Sequence, residues 1–167
     1  VQGETDYKPV FRAMAAGVAE SAPGQLLSYH SRKGAPQSGA FFHDDEWLDF
    51  NSVQEWPDRQ IAKMTEDWAR GPAKPTWLFE GRYEAFYRGN TKPEQWGEWQ
   101  MRQQAYQTVF AGAFGHVYGH ERVFAFGTDG VDWTQHLDTP GARSMTHLAK
   151  VMNGFQPGTL INRQPEP

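Results

Sequence analysis

Glu80 closes the run Thr76-Trp77-Leu78-Phe79 and is followed at once by Gly81. A carboxylate at the end of an apolar run is expensive to bury unless it is bonded or working. Two readings follow: acid–base or nucleophilic work in a cleft, or an ion pair with nearby Arg82 inside a loop. Glu84, four residues on, is the rival acid; its position suits a loop or helical turn, where a carboxylate serves as a local hydrogen-bond acceptor. His116 and His120 stand four apart, the spacing that puts two metal ligands on one helix face. Gly115 and Gly119 argue against a helix there, and no third ligand clusters with them, so no metal site is expected. A substrate-hydroxyl contact or a structural hydrogen bond is the reading for both histidines. Ser28 has no G-x-S-x-G context and no glycine-rich phosphate loop appears, so neither a serine triad nor a nucleotide site is supported, and no cofactor is expected.

These groups need elements to hold them. Residues 7–24 carry Phe11, Met14, Ala15 and Val18 at helical spacing and stop at Pro23-Gly24, which predicts a helix. A second helix is predicted from Pro57, with Ile61, Met64 and Trp68 on one face and Gly71-Pro72 as its end. A longer one covers 93–115 with Trp99, Tyr106, Val109 and Phe110, and a closing one runs through 144–153 to Gly154. Strands are predicted near 25–30, 46–51, 75–80 and 122–127. Each is short and apolar, and they alternate with helices, which indicates a parallel α/β sheet covered on both faces. Function in such folds collects at the carboxyl ends of the strands. His30, Asp49, Asn51 and Glu80 stand there on this reading, whereas Asp44-Asp45-Glu46 is a charge run of the solvated kind.

The chain has 167 residues and a net charge of -4 with acids and bases interspersed. That length supports one domain with a real core, and the charge pattern lacks the footprint of a nucleic-acid binder. No apolar run is long enough to span a membrane. Cysteine is absent, which removes disulfides and thiolate metal sites without choosing a compartment. Seven Trp, six Tyr and eleven Phe, many beside Gly, Asn, Asp or His, supply what a sugar-binding surface needs: flat rings for C–H faces and polar groups for hydroxyls. Most of them serve the core.

Four segments, LLSYHSRKG (26–34), FFHDDEWLDFNSVQ (41–54), KPTWLFEGRYE (74–84) and AYQTVFAGAFGHVYGH (105–120), occur in that order and with similar spacing in the apiosidase-like glycoside hydrolases, which remove apiose from pectic side chains. The chain resembles that family from roughly Tyr7 to Gly127; each motif is weak alone, and the four in sequence are specific. The resemblance implies a (β/α)8 TIM barrel, with the four predicted strands as strands 5–8 and residues 10–20 as the helix after strand four. Residues 1–153 would then be the second half of the barrel, and 154–167 a tail leading toward a C-terminal module. On this expectation the chain works with a first barrel half from the same or a companion polypeptide; the alternative is a complete small α/β protein.

Glycoside hydrolysis uses two carboxyl groups flanking the scissile bond. By the family count Glu80 ends strand seven, which makes it the candidate nucleophile, while the general acid, on strand four, would lie upstream of Val1. Arg82, Tyr83 and Tyr118 are the candidate donors around Glu80. Asp49 and Asn51, with the aromatic Trp47 beside them, are expected to meet sugar hydroxyls, joined by His30, Gln54 and His116. The expected partners are an oligosaccharide or polysaccharide substrate and the first barrel half, and the expected location is secreted or periplasmic. A non-catalytic carbohydrate-binding fragment, or a barrel glycosidase acting on a different sugar, is the alternative function.

Overall fold

The computed structural model describes residues 6–86 and 96–154. The helix α1 runs Lys8–Ser21 with Pro9 in its first turn, where a missing N–H does no harm. The short α2 covers Ser38–Phe42. Then come β1 (Asn51–Gln54), α3 (Pro57–Trp68), β2 (Thr76–Glu80), α4 (Glu98–Phe110), β3 (Gly115–His116), α5 (Glu121–Ala125), a 3₁₀ turn at Trp133–His136, and α6 (Pro140–Asn153). No described helix is long and apolar enough to cross a membrane. The expected tail falls, from residue 155 on, outside the described residues.

Among the described residues the sheet has three parallel strands in the order β1-β2-β3. Ser52 pairs with Trp77 and Val53 with Leu78; across the other edge Trp77 pairs with Gly115 and Leu78 with His116. Because side chains alternate along a strand, the register sorts the sheet into two faces. Val53, Leu78, Met64 of α3 and Ala113 form one buried cluster under the helices. On the opposite face Phe50, Trp77 and Phe114 meet edge to face or tilted, with centroids 4.8–5.8 Å apart, and Phe79 stays partly exposed. Trp77 lies across Gly115, where a Cβ would meet its indole at 2.8 Å. A second core joins α4 to α6 through Ala105, Val109 and Leu148.

Three strand expectations need correction. Residues 25–30 run alongside β1 without forming a ladder. Asp49 N–H does donate to Leu27 O at 2.9 Å, but the Ser52 hydroxyl takes Tyr29 O and the Ser28 hydroxyl takes Phe50 O, and the Asp49 carboxylate accepts from Leu27 N–H. Side chains occupy positions a strand would use, as Ser and Asp readily do. The strand expected at 46–51 begins only at Asn51, because Asp45 gathers Arg12, the Trp47 indole and Leu48 N–H into a turn. The run expected as a strand at 122–127 is the helix α5, capped by the His120 ring, which accepts from Arg122 N–H, and stopped by left-handed Phe126 and Gly127. A short apolar run fits either state; here the cap and the stop decide.

The expected helices are present, but of the one expected over 93–115 residues 93–95 lie outside the described residues, α4 ends at Phe110, and Gly115 opens β3; the inner faces are also more polar than expected. Ile61 on α3 and Trp99 and Phe110 on α4 point outward, the last two 63% and 68% exposed. The buried faces carry Gln60, Met64 and Asp67 on α3, and Met101, Gln104, Ala105, Thr108 and Val109 on α4. Gln60 Nε2 donates to the Gln104 carbonyl at 3.3 Å. That carbonyl also receives the Thr108 hydroxyl at 2.7 Å.

Candidate active site

Glu80 is the last residue of β2, the middle strand of the sheet. Its main chain is tied to β1 by Glu55 N–H, which donates to Glu80 O at 3.1 Å. Among the described residues, two side chains reach its carboxylate. The Tyr83 hydroxyl donates to Oε1 at 3.0 Å, and His30 Nε2 lies 3.4 Å from Oε2. The carboxylate keeps 28% of its surface open. It faces a cleft of about 210 Å³ lined by Lys33, Gln54, Trp56, Gly81, Arg82 and Tyr83, with Phe86, Glu121 and Phe124 on the far wall.

Arg82 does not pair with Glu80 in the way an ion-pair reading requires. Its guanidinium carbon stands 3.8 Å from the Trp56 ring centroid, 4.5 Å from that of Trp96 and 5.4 Å from that of Phe86. Lys33 Nζ is 3.1 Å from the same Trp56 centroid. Cations over aromatic faces are attracted by the ring quadrupole, so Trp56 is held in place as one wall of the cleft. Burial pulls the Arg82 pKa down from its ordinary value, with Asp58 opposing.

Four of the residues expected to bind substrate gather here: Gln54, Arg82 and Tyr83 line the cleft, and His30 touches Glu80 from its rim. The others do not. Asn51 opens β1 instead of closing it, three residues before Gln54 and hence about 10 Å from the mouth. It is fully buried against the His43 ring, its Nδ2 lying 3.3 Å from Nδ1. Asp49 sits at that same lower end on Leu27 N–H, and Trp47 bonds Asp45 and packs on Phe42. His116, paired with Leu78, faces α4, where its Nε2 lies 3.2 Å from Gln104 Nε2. Burial lowers its pKa to about 4, so it stands there as a neutral ring.

Tyr118 reaches Glu84, not Glu80. The Glu84 carboxylate, 6% exposed, accepts from the Tyr118 hydroxyl, from Thr139 Oγ1 at 2.7 Å and from Gly141 N–H at 3.3 Å. Burial and the adjacent carboxylate raise the Tyr118 pKa from its ordinary value. Glu84 thus fastens the β2 loop to β3 and to the start of α6.

His120 caps α5 and stacks on His136, with centroids 4.9 Å apart. Among the described residues no group of three or more His, Asp or Glu side chains converges to hold a metal ion.

Sequence reasoning passed over Lys33, Trp56, Phe86, Glu121 and Phe124. Lys33 and Trp56 carried a signal, since each follows a predicted strand by a few residues and strand-end loops build such mouths. Glu121 and Phe124 carried none, because their segment was read as a strand.

A carboxylate thus closes the middle strand of a parallel sheet, beside a cleft lined by aromatic rings. The chain belongs to the apiosidase-like catalytic domain family, whose model matches residues 1–157. Among solved structures it is similar to a glycoside hydrolase at TM-score 0.77 and 27% identity, over 87% of this chain and 39% of that one. It is also similar to a glycoside hydrolase family 5 protein from Bacteroides vulgatus ATCC 8482 at TM-score 0.76 and 27% identity, over 88% of this chain and 38% of that one. The chain therefore spans about two-fifths of the length of these relatives. No curated protein matches it.

Proposed function

We propose that this chain supplies the second half of the (β/α)8 barrel of an apiosidase-like glycoside hydrolase, with β1, β2 and β3 as strands 6–8 and Glu80 as its catalytic nucleophile. The observation that carries this reading is the environment of Glu80: a strand-end carboxylate, partly open, oriented by Tyr83 and His30 at the edge of a cleft. The aromatic face of the sheet, with Trp77 and Phe79, supports the barrel reading, since such a face is filled by the facing strands when a barrel closes.

In the proposed reaction a Glu80 carboxylate oxygen attacks the anomeric carbon as the glycosidic C–O bond breaks. A carboxylic acid from the first barrel half, outside residues 1–167, protonates the leaving oxygen. The result is a glycosyl ester on Glu80. That second carboxylate then takes a proton from water, whose oxygen displaces Glu80 and restores both groups. A retaining path of this kind needs the two carboxyl groups about 5–5.5 Å apart. Tyr83 donates to Oε1 throughout the approach and so leaves Oε2, beside His30, to form the new bond. Phe124 offers an apolar wall for the C–H faces of the sugar, and Gln54 offers an amide for its hydroxyls.

The glycone proposed is a terminal apiose on pectic polysaccharide. A polymer of that kind cannot enter a cell intact, so the enzyme would work in secreted or periplasmic form.

Trapping tests the reading. The intact enzyme, treated with an aryl apioside fluorinated beside the anomeric carbon, should gain one glycosyl unit, and peptide mapping should place it on Glu80 within residues 75–86. Turnover of the parent aryl apioside with no label on Glu80, or a label on another carboxylate, would overturn the assignment.

A further inference from the structure

The chain between Glu80 and Glu84 has to hold Tyr83 against the Glu80 carboxylate, yet the strand beside it ends early. The last ladder pair of β2 with β3 is Leu78 with His116, extended by Val117 N–H to Leu78 O at 3.1 Å. Main-chain bonding across this edge resumes with Glu84 N–H to Gly119 O at 2.9 Å. In the gap sits the side chain of Gln104, which rises from α4 and is 1% exposed. Its Oε1 accepts from Arg82 N–H at 2.9 Å, and its Nε2 donates to Arg82 O at 3.2 Å. Both main-chain groups of one residue are thus met by one carboxamide, the pairing a neighbouring strand would give.

The amide cannot be turned over without setting donor against donor and acceptor against acceptor at Arg82. Its second Nε2 hydrogen points to His116 Nε2, 3.2 Å away, which receives it because burial keeps that ring neutral. Gly81 is part of the same device: a Cβ there would collide with the Gln104 carboxamide. The helix end of the device is fixed as well, since the Gln104 carbonyl takes Thr108 Oγ1 and Gln60 Nε2.

We propose that Gln104 is a positioning residue for Glu80: its carboxamide replaces the absent strand at the carboxyl end of β2 and so sets the Gly81–Tyr83 turn that aims the Tyr83 hydroxyl at the Glu80 carboxylate. The inference rests on Glu80 being the reacting carboxylate. A misplacement of about 1 Å at such a group lowers turnover by about 100-fold, so a side chain that touches no substrate can have a large kinetic effect.

The test is a double-mutant cycle in the intact enzyme on 4-nitrophenyl apiofuranoside. Gln104→Leu should lower kcat by about 10- to 100-fold with KM within about threefold, since aim is lost and binding is not. Tyr83→Phe should lower kcat to a similar degree. The double variant should fall no more than about threefold below the worse single one, because both changes break the same contact.

Should Gln104→Leu fail to fold, Gln104→Glu keeps the shape and the acceptor for Arg82 N–H, and enters the same cycle with a smaller loss. Losses that multiply in the double variant, or a folded Gln104→Leu enzyme with unchanged kcat, would overturn the proposal. Glu80→Gln run alongside separates the two readings. If that variant turns over normally, the nucleophile assignment fails; if it is inactive while Gln104→Leu is normal, only the positioning role falls.

Discussion

Glu80 and Glu84 are four residues apart on one loop and live in opposite surroundings. Glu80 has a quarter of its surface open, one firm donor in Tyr83 and a weaker neighbour in His30. Glu84 is buried under Tyr118, Thr139 and the Gly141 amide. A buried carboxylate with both oxygens engaged is a poor nucleophile and a good rivet. One that keeps an oxygen partly free beside a cleft can still react. The difference arises from where β3 and α6 pass: they close over the residue after the turn and leave the residue before it open.

The sharpest way to break this comparison is to remove the charge from each acid in turn. Glu80→Gln keeps the volume and removes the nucleophile. In the intact enzyme kcat should fall by about 1,000-fold or more, within the range for loss of a covalent catalyst. The melting temperature should move little, because the site is half open. Near-normal turnover would transfer the role to another carboxylate.

Glu84→Ala should do the reverse. It takes the acceptor from the Tyr118 and Thr139 hydroxyls, which lie 2.8 Å apart and can use each other for one of their two protons, and strands the Gly141 N–H; a buried donor left unmet costs about 1–3 kcal/mol. Destabilisation of about 3 kcal/mol or more is expected by denaturant unfolding, with kcat of the folded fraction within about tenfold of normal. Gly141→Ala presses on the same carboxylate from the other side, since its Cβ would collide with the Glu84 carboxyl group. It should destabilise by about 1–3 kcal/mol, the usual range for overpacking. A Glu84 variant that unfolds normally but has lost turnover would reverse the two roles.

Much of this contrast was legible in the sequence, and the errors have identifiable causes. β2 was readable because an apolar run ended in an acid and then a glycine. The helices α1, α3 and α6 were readable because Pro23-Gly24, Pro57 and Gly154 mark ends that the apolar period alone leaves vague. The strand before Gln54 was placed five residues early, and that shift inverted a functional assignment. Asp49 and Asn51 then fell at a carboxyl end, whereas Asn51 opens the strand. Periodicity also hid the polar side chains on inner helix faces. Gln60, Gln104 and Thr108 look like surface residues until one sees that each meets a buried main-chain group. Of the two readings open for His116 the structure shows the hydrogen bond: strand alternation decides which way the ring faces, and the register with Leu78 turns it toward Gln104 of α4.

A third acid sharpens the comparison by showing burial with too few donors. Asp67 on α3 is fully buried and holds Arg70 at 3.2 Å through Oδ1, while Oδ2 has no hydrogen-bond partner among the described residues. Burial outweighs the pairing and pushes its pKa up to about 6 from 3.8. Between those values the native state holds a proton that the unfolded chain has released. Stability from this group is therefore full below about pH 4 and is lost as pH rises toward 6, by about 3 kcal/mol at 1.36 kcal/mol per pH unit.

His116 acts in the opposite sense. Its pKa is lowered to about 4 from 6.5, so the unfolded chain binds the extra proton and stability rises with pH through that window by a similar amount. In the parent protein the two slopes nearly cancel between pH 4 and 6. Asp67→Asn removes the falling slope and leaves the rising one. Measured by urea unfolding, the variant should gain about 2–3 kcal/mol relative to the parent between pH 4 and pH 6.5. Parallel curves for the two proteins would mean that Asp67 ionises as freely as an open carboxylate, and that its burial with one oxygen unpaired has no energetic consequence.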